Sequence, residues 1–343
     1  MRVLLTGHDG YIGAVMAPML VAAGHDVHGL DCLLFEECRF GVPQSPIPGL
    51  HQDVRDVQLA DLRGVDAVIH LAALSNDPLS NLSPSCTFDI NHAATVRLAR
   101  LAKEASVRRF LFASSCSLYG IAGDELVTEA APFHPVTPYG ESKVLVERDL
   151  AAMADARFSP VFLRNATAYG VSPKLRLDLV VNNLVAMALV TGEVLMMSDG
   201  SPWRPLVHVE DIGRAFLAAL EAPAELVHNA AFNVGRTEAN YRVRDIAALV
   251  EAAVPGSAVR YAPGGGPDPR CYRVDCTKLP ATLPAFVPQW TLERGIGQLR
   301  DSFLEQGLTA DDVTGPRYMR IRQVQQLMDQ GRLDGNLRWI GAA

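Results

Sequence analysis

Thr6-Gly7-His8-Asp9-Gly10-Tyr11-Ile12-Gly13, directly behind the apolar run Val3-Leu4-Leu5, is the stretch that decides the fold. It reads as a buried strand, a glycine-punctuated turn, and a helix carrying Ile12, Met16, Met19 and Leu20 on one face. Gly7 permits the tight turn, Gly10 lets the backbone approach a diphosphate, and Gly13 lets helix and strand pack closely. The diphosphate would meet the unpaired N–H groups and the positive dipole end of the helix. Gly7, Asp9, Gly10, Tyr11, Ile12 and Gly13 are therefore candidate dinucleotide contacts.

Outward from this turn, short apolar runs alternate with longer helical patterns. Candidate strands are Val27–Leu30, Ala67–Leu71, Phe110–Ala113 and Pro160–Leu163, and the helices between them include Ile12–Ala23 and Asn91–Ala105. Gly24 is placed to end the first helix, and Pro18 is expected to bend it. The pattern predicts an α/β fold, a Rossmann-type doubly wound parallel sheet with a smaller, discontinuous C-terminal lobe. Residues 1–165 form the expected dinucleotide domain, with returns at about 206–234 through Leu206–Val209, helix Asp211–Glu221 and Phe232–Val234. Residues 166–205 and 235–310 form the expected substrate lobe, and 311–343 a helical tail. In that tail Tyr318–Leu327 has helical spacing, fit to cap the lobe or to touch a second subunit. Pro263–Pro269 is a loop by composition.

The chain's 343 residues are 49% hydrophobic and 20% charged, the composition of an ordinary globular protein. A net charge of −7 with no basic block argues against a nucleic-acid partner. Cys32, Cys38, Cys86, Cys116, Cys271 and Cys276 lie scattered without metal-ligand spacing, so no metal and no disulfide framework is expected. No apolar run approaches a membrane span or a signal peptide, and a cytoplasmic protein is the expectation.

The second strand ends in Leu30-Asp31. A carboxylate here can accept hydrogen bonds from an adenosine ribose and repels a 2′-phosphate, which favours NAD over NADP. Farther on, Ser115 closes an apolar strand, and Thr137-Pro138-Tyr139-Gly140-Glu141-Ser142-Lys143 opens a helix with Thr137 as its cap. Tyr139 and Lys143, four apart, project from one face. A phenol has a pKa of ~10 and is a poor base at neutral pH, so a neighbouring ammonium and a positive nicotinamide ring are expected to favour the phenolate. Ser115, Tyr139 and Lys143 are the candidate catalytic residues.

The Gly-x-x-Gly-x-x-Gly spacing, Asp31, Ser115 and Tyr139-x-x-x-Lys143 together resemble the short-chain dehydrogenase/reductase superfamily, in its extended, nucleotide-sugar-modifying branch. The resemblance runs from about Val3 to Lys278. It implies Asp53-Val54 as adenine contacts and Leu71-Ala72-Ala73 as the stretch under the cofactor, with Asn91 supporting the active-site helix. It further implies a nucleotide-diphosphate sugar as substrate. Expected contacts to it are Ser75, Ser115, Ser117, Thr167, Asn182, Asn183 and, from Arg204-Pro-Leu-Val-His208-Val-Glu-Asp211, Arg204. Arg270 is a second arginine candidate for the diphosphate, and the choice between the two stays open. Thr167 stands where sugar 4-epimerases usually carry Asn. A homodimer is the family's usual state.

Sugar-modifying members begin by oxidising a hydroxyl, usually at C4. The 4,6-dehydratases carry Asp-Glu directly after the Ser/Thr, whereas Cys116 and Ser117 stand here, so ordinary dehydration is disfavoured. Cys116 is either a carbon acid/base or a small buried filler, the filler being favoured. The expectation is a C4 epimerase working through a transient 4-keto sugar. Gly170–Asp178 also resembles nucleotide-heptose 4-dehydrogenases, in which tightly held NADH is reoxidised by a keto acid. A non-catalytic NAD-sensing protein is a third possibility, opposed by the retention of Tyr139 and Lys143.

Overall fold

Arg2–Thr6 is the central strand of a parallel sheet in the computed structural model, which describes residues 1–41, 46–262 and 271–341. On one side it pairs with Asp26–Asp31, which carries Gly49–His51 at the edge. On the other side follow Ala67–His70, Arg109–Ser115, Ser159–Asn165 and Ala230–Val234, making seven parallel strands among the described residues. The strand order reverses between Arg2–Thr6 and Ala67–His70, and a ligand crevice opens at the carboxyl ends of strands at such a switch point. The Rossmann-type expectation holds.

Alternating side chains divide the sheet's two faces into two cores. Val3, Leu5, Ile69, Leu111 and Val161 face helices Gly13–Ala22 and Val209–Glu221, packing on Met16, Leu20, Ile212 and Phe216. Leu4, Val68, Phe110, Phe112 and Phe162 face helices Ala94–Glu104 and Pro138–Ala151 through Leu98, Ala102, Val146 and Leu150. With both faces covered, the middle strands carry continuous apolar runs such as Val3–Leu5, Ala67–Ile69 and Phe110–Ala113. Gly24, at φ +84°, follows the first helix, with Gly24 N–H bonding Val21 O and His25 N–H bonding Leu20 O. The helix runs through Pro18, whose ring stands on the exposed side.

Leu206–Val209 does not return to this sheet. Trp203–His208 instead pairs in parallel with Thr167–Tyr169 and antiparallel with Asn240–Arg242 in a separate three-stranded sheet. The open edge of Ser159–Asn165 is taken by Ala230–Val234, so no place is left for it. The remaining lobe gathers helices Val180–Thr191, Val243–Ala253 and Leu292–Glu305 around Leu184, Val185, Ile246, Val250, Ile296 and Leu299. The tail joins both parts. Tyr318 lies in the lobe core, while Val324 and Leu327 of helix Arg320–Asp329, with Leu333 and Leu337, complete the core on the second face of the sheet. Among the described residues no helix is long and apolar enough to cross a membrane.

Candidate active site

A cleft of about 2100 Å³, its solvent-open mouth included, follows the switch point between sheet and lobe. Its enclosed part is about 430 Å³, within the ~300–1,000 Å³ usual for a ligand pocket. Its floor is Gly7, Gly10, Tyr11, Ile12 and Gly13. Gly7, at φ +75°, would place a Cβ 2.8 Å from Ala72 N, and a Cβ on Gly13 would lie 2.2 Å from Gly7 O. Strand, turn and helix therefore meet at backbone distance, and the helix N-terminus faces the cleft, as dinucleotide binding needs. Asp31 lines the far end with both carboxylate oxygens engaged, accepting from Leu33 N at 2.8 Å and Asp9 N at 3.0 Å. Each oxygen keeps a lone pair for a ribose hydroxyl. Asp53, Val54, Leu71, Ala72 and Ala73 line the same side. This chain's residues thus fit a dinucleotide along their whole expected span.

The reacting end is built by one strand and one helix. Thr137 caps helix Pro138–Ala151, its hydroxyl accepting from Gly140 N at 3.2 Å, with Pro138 at the first position. Tyr139 and Lys143 reach the cleft from this helix, and the end of strand Arg109–Ser115 adds Ser115, whose hydroxyl accepts from Ser117 N at 3.1 Å. The Lys143 ammonium lies 5.5 Å from the Tyr139 ring centroid and donates to Ala113 O at 2.7 Å. Burial pushes the phenol up to about 12, against the lowering effect of the Ser115 hydroxyl. The same burial brings Lys143 down to about 7, against the pull of Glu147. Without the cofactor, burial thus favours the neutral phenol, and the positive nicotinamide ring is the other group expected to favour the phenolate.

Behind this pair the helix is anchored. Asn91 accepts from Leu74 N at 2.8 Å and donates to Leu74 O and the Ser142 hydroxyl, so it braces helix and loop from outside the cleft. It sits in a π-helical turn, Phe88–Ala93, at the start of the segment expected to be plain helix. Asn91 thus reaches the active-site helix through Ser142, the supporting place that the resemblance implies, and does not itself line the cleft. One turn beyond Lys143, Glu147 pairs bidentately with Arg164 and accepts from Ser114, all three buried.

Several expected site residues stand elsewhere. The buried Asn182 side chain accepts from Gly170 N and donates to Arg176 O and the Tyr11 hydroxyl, and Asn183 donates to Leu177 O. Both amides are used to shape the Gly170–Leu177 loop. The Tyr11 hydroxyl likewise donates to Gly170 O, leaving its ring and backbone to the cleft. Asp9 turns its carboxylate to Lys174 at 2.6 Å. Cys116 points into the core, 1% exposed, with Sγ donating to Arg164 O and burial raising its thiol well above the ordinary value. It is the small filler. Ser75, Ser117, Thr167 and Arg204 line the cleft, and the Ser117 hydroxyl has no hydrogen-bond partner among the described residues. Arg270 lies outside the described residues.

The cleft also holds residues that motif spacing missed. Arg176 pairs with Asp178 at 2.9 Å and donates to Ser75 at 3.1 Å, and Asp178 receives the Asn76 amide. Asp77 accepts from the Thr137 hydroxyl, and Asn165, Tyr272 and Arg320 complete the wall. The one available signal was the charged run Lys174-Leu-Arg-Leu-Asp178 inside an otherwise apolar region.

Comparison with known proteins agrees with this architecture. A family model described as "NAD dependent epimerase/dehydratase family" matches residues 3–235. The UDP-glucose 4-epimerase of Lactobacillus helveticus is 30% identical over 82% of this chain and 91% of its own. The structure of TunA, an NAD-dependent NDP-hexosamine 5,6-dehydratase involved in tunicamycin biosynthesis, superposes with a TM-score of 0.80 at 25% identity, covering 89% of this chain and 98% of its own. MoeE5 in complex with UDP-glucuronic acid and NAD gives 0.77 at 27%, covering 89% and 99%. With strand order, glycine turn and sequence match in agreement, the chain belongs to the NAD dependent epimerase/dehydratase family, and NAD is its cofactor.

Proposed function

We propose that this protein is an NAD-dependent nucleotide-sugar epimerase acting at C4 through a transient 4-keto sugar. The observation that carries the reading is the grouping of Ser115, Tyr139 and Lys143 on one wall of the cleft, where Cys116 is turned away into the core. Relatives named UDP-glucose 4-epimerase point the same way.

In this reading Gly7, Gly10, Gly13 and Asp31 hold NAD, which when bound supplies the hydride acceptor and donor and a positive ring beside Tyr139. Tyr139 Oη takes the proton of the sugar C4 hydroxyl and later returns it. Ser115 Oγ keeps that hydroxyl in line by hydrogen bonding, and Lys143 fixes the phenol's surroundings. The keto sugar must turn over so that C4 is reduced from its other face while Tyr139 Oη returns the proton to the C4 oxygen, and Thr167, Asn165 and Tyr272 line the cleft where this turn would take place. Arg204 and Arg176 are the cationic groups on the lobe side of the cleft for the nucleotide diphosphate.

The test is a panel of UDP-, GDP-, CDP- and dTDP-sugars, with products identified by NMR and mass spectrometry. A C4 epimer formed without added oxidant bears the reading out. A second reading, a 4-dehydrogenase, has one observation in its favour: Gly170–Asp178, which resembles that group, places Arg176 and Asp178 in the cleft. Net formation of a 4-keto sugar, with a 2-oxo acid reduced to the hydroxy acid in equal amount, would select it.

A further inference from the structure

Five charged side chains form a buried cluster at the glycine turn. Lys174 is paired with Asp9, and Arg176 with Asp178. Arg320, 3% exposed, comes from the tail helix and has no such partner. Asp178, the carboxylate that faces it, is already held bidentately by Arg176. Arg320 donates Nη2 to Lys174 O at 3.0 Å and lies over the Phe35 ring at 4.2 Å, while its Nη1 has no hydrogen-bond partner among the described residues. A buried cation without a carboxylate is costly unless an anion approaches it. Burial accordingly lowers the affinity of Arg320 for its own proton.

The same tail closes the other end of the cleft. Leu337 lines it beside Asp53 and Val54, and its carbonyl, with that of Asn336, receives Arg55, the residue that holds Asp53. Trp339 Nε1 donates to Cys32 O at 2.6 Å, directly after Asp31. Arg338 pairs with Asp56 at 2.6 Å. Helix and terminal turn are fastened from below by Val324, Leu327, Leu333 and Leu337.

We infer that the segment Arg320–Trp339 is a clasp that retains the dinucleotide, with Arg320 providing the surplus positive charge for its diphosphate, Leu337 closing the adenosine end and Trp339 fastening that turn to Cys32 O. The inference rests on the reading of this cleft as the NAD site, and it deepens that reading by assigning the tail a part in holding the cofactor. The clasp lies outside residues 3–235, the span of the family match.

The experiment measures release of bound NAD from the purified full-length protein, diluted into an enzymatic trap for free NAD, with the remaining bound nucleotide quantified after acid extraction. Arg320→Met and Trp339→Ala are each expected to release NAD roughly tenfold faster or more than the unmodified chain, equivalent to ~1.4 kcal/mol. NAD is also expected to protect the 320–339 segment from limited proteolysis. Release at the unmodified rate in folded Trp339→Ala, without such protection, overturns the clasp. Trp339 does not line the cleft, so this variant decides the matter if Arg320→Met does not fold. Asp31→Ala separates the two levels: if it weakens NAD while the tail variants do not, only the clasp falls. If it leaves NAD untouched, the cofactor-site reading falls with it.

Discussion

Two buried ionic networks flank the cleft, and they differ in balance. Beneath the Tyr139 helix, Arg164 and Glu147 neutralise each other, and Ser114, the Tyr119 hydroxyl and Glu129 O take up the remaining bonds. At the glycine turn, Lys174, Arg176 and Arg320 face, among the carboxylates of the described residues, Asp9 and Asp178. The first network is complete without any ligand and acts as scaffold. The second has one cation more than it can pair, which makes sense beside an anion. Variants at the inner, catalytic end should therefore change turnover or stability, and variants at the turn should change how ligands are held.

The largest expected effect is at the inner end. Tyr139→Phe should lower kcat by ~10²–10⁴, the usual contribution of a positioned acid–base group, while bound NAD stays constant in extracts of the variant. Full turnover would remove Tyr139 from the chemistry. Next comes the balanced network: Glu147→Ala leaves Arg164 buried and unpaired and should cost ~3–5 kcal/mol of unfolding free energy in a denaturant titration. Arg320→Met leaves no carboxylate unpaired, so its stability should change by less than about 1 kcal/mol. Equal losses in the two variants would break the comparison.

Asp31→Ala should weaken NAD by roughly 10–100-fold, the worth of a charged hydrogen bond, and relax discrimination against NADP, read by titration with both nucleotides. A smaller effect follows from Lys143, whose folded-state value is about 7 against an ordinary 10.5. Between those pH values the unfolded chain holds the proton that the folded chain has lost, so stability of the NAD-free protein rises with pH across that window. Above pH 10 the trend should reverse, because Tyr139 keeps its proton up to about 12 in the folded chain. Lys143→Met should flatten the rise in a series of melts. The smallest effect is expected for Asn183→Ala, whose side chain serves Leu177 O: KM unchanged within about twofold, stability lowered by ~1 kcal/mol.

Which parts of this were legible beforehand follows from locality. The glycine turn, Asp31, Ser115 and the Tyr139–Lys143 pair each owe their position to a strand end or a helix turn a few residues long, and the structure brings them to one cleft. Strand order at the sheet's far edge was not local: Trp203–His208 is as apolar as a core strand, and only competition with Ala230–Val234 for one partner sends it to the lobe. Asn182 and Asn183 matched a motif, yet whether an amide faces ligand or backbone depends on the loop folded over it. Arg320 is separated from Arg176 by 144 positions, and no spacing rule joins them. Burial without a partner is what exposes its role.

The central claim is that Tyr139 and NAD oxidise and restore the same carbon of a nucleotide sugar. It is tested most directly with a substrate deuterated at C4, incubated with the protein and no added oxidant and followed by NMR. The account predicts the C4 epimer with deuterium still at C4. Label lost to solvent, or label at C4 with the configuration unchanged while a 4-keto sugar accumulates, would contradict it.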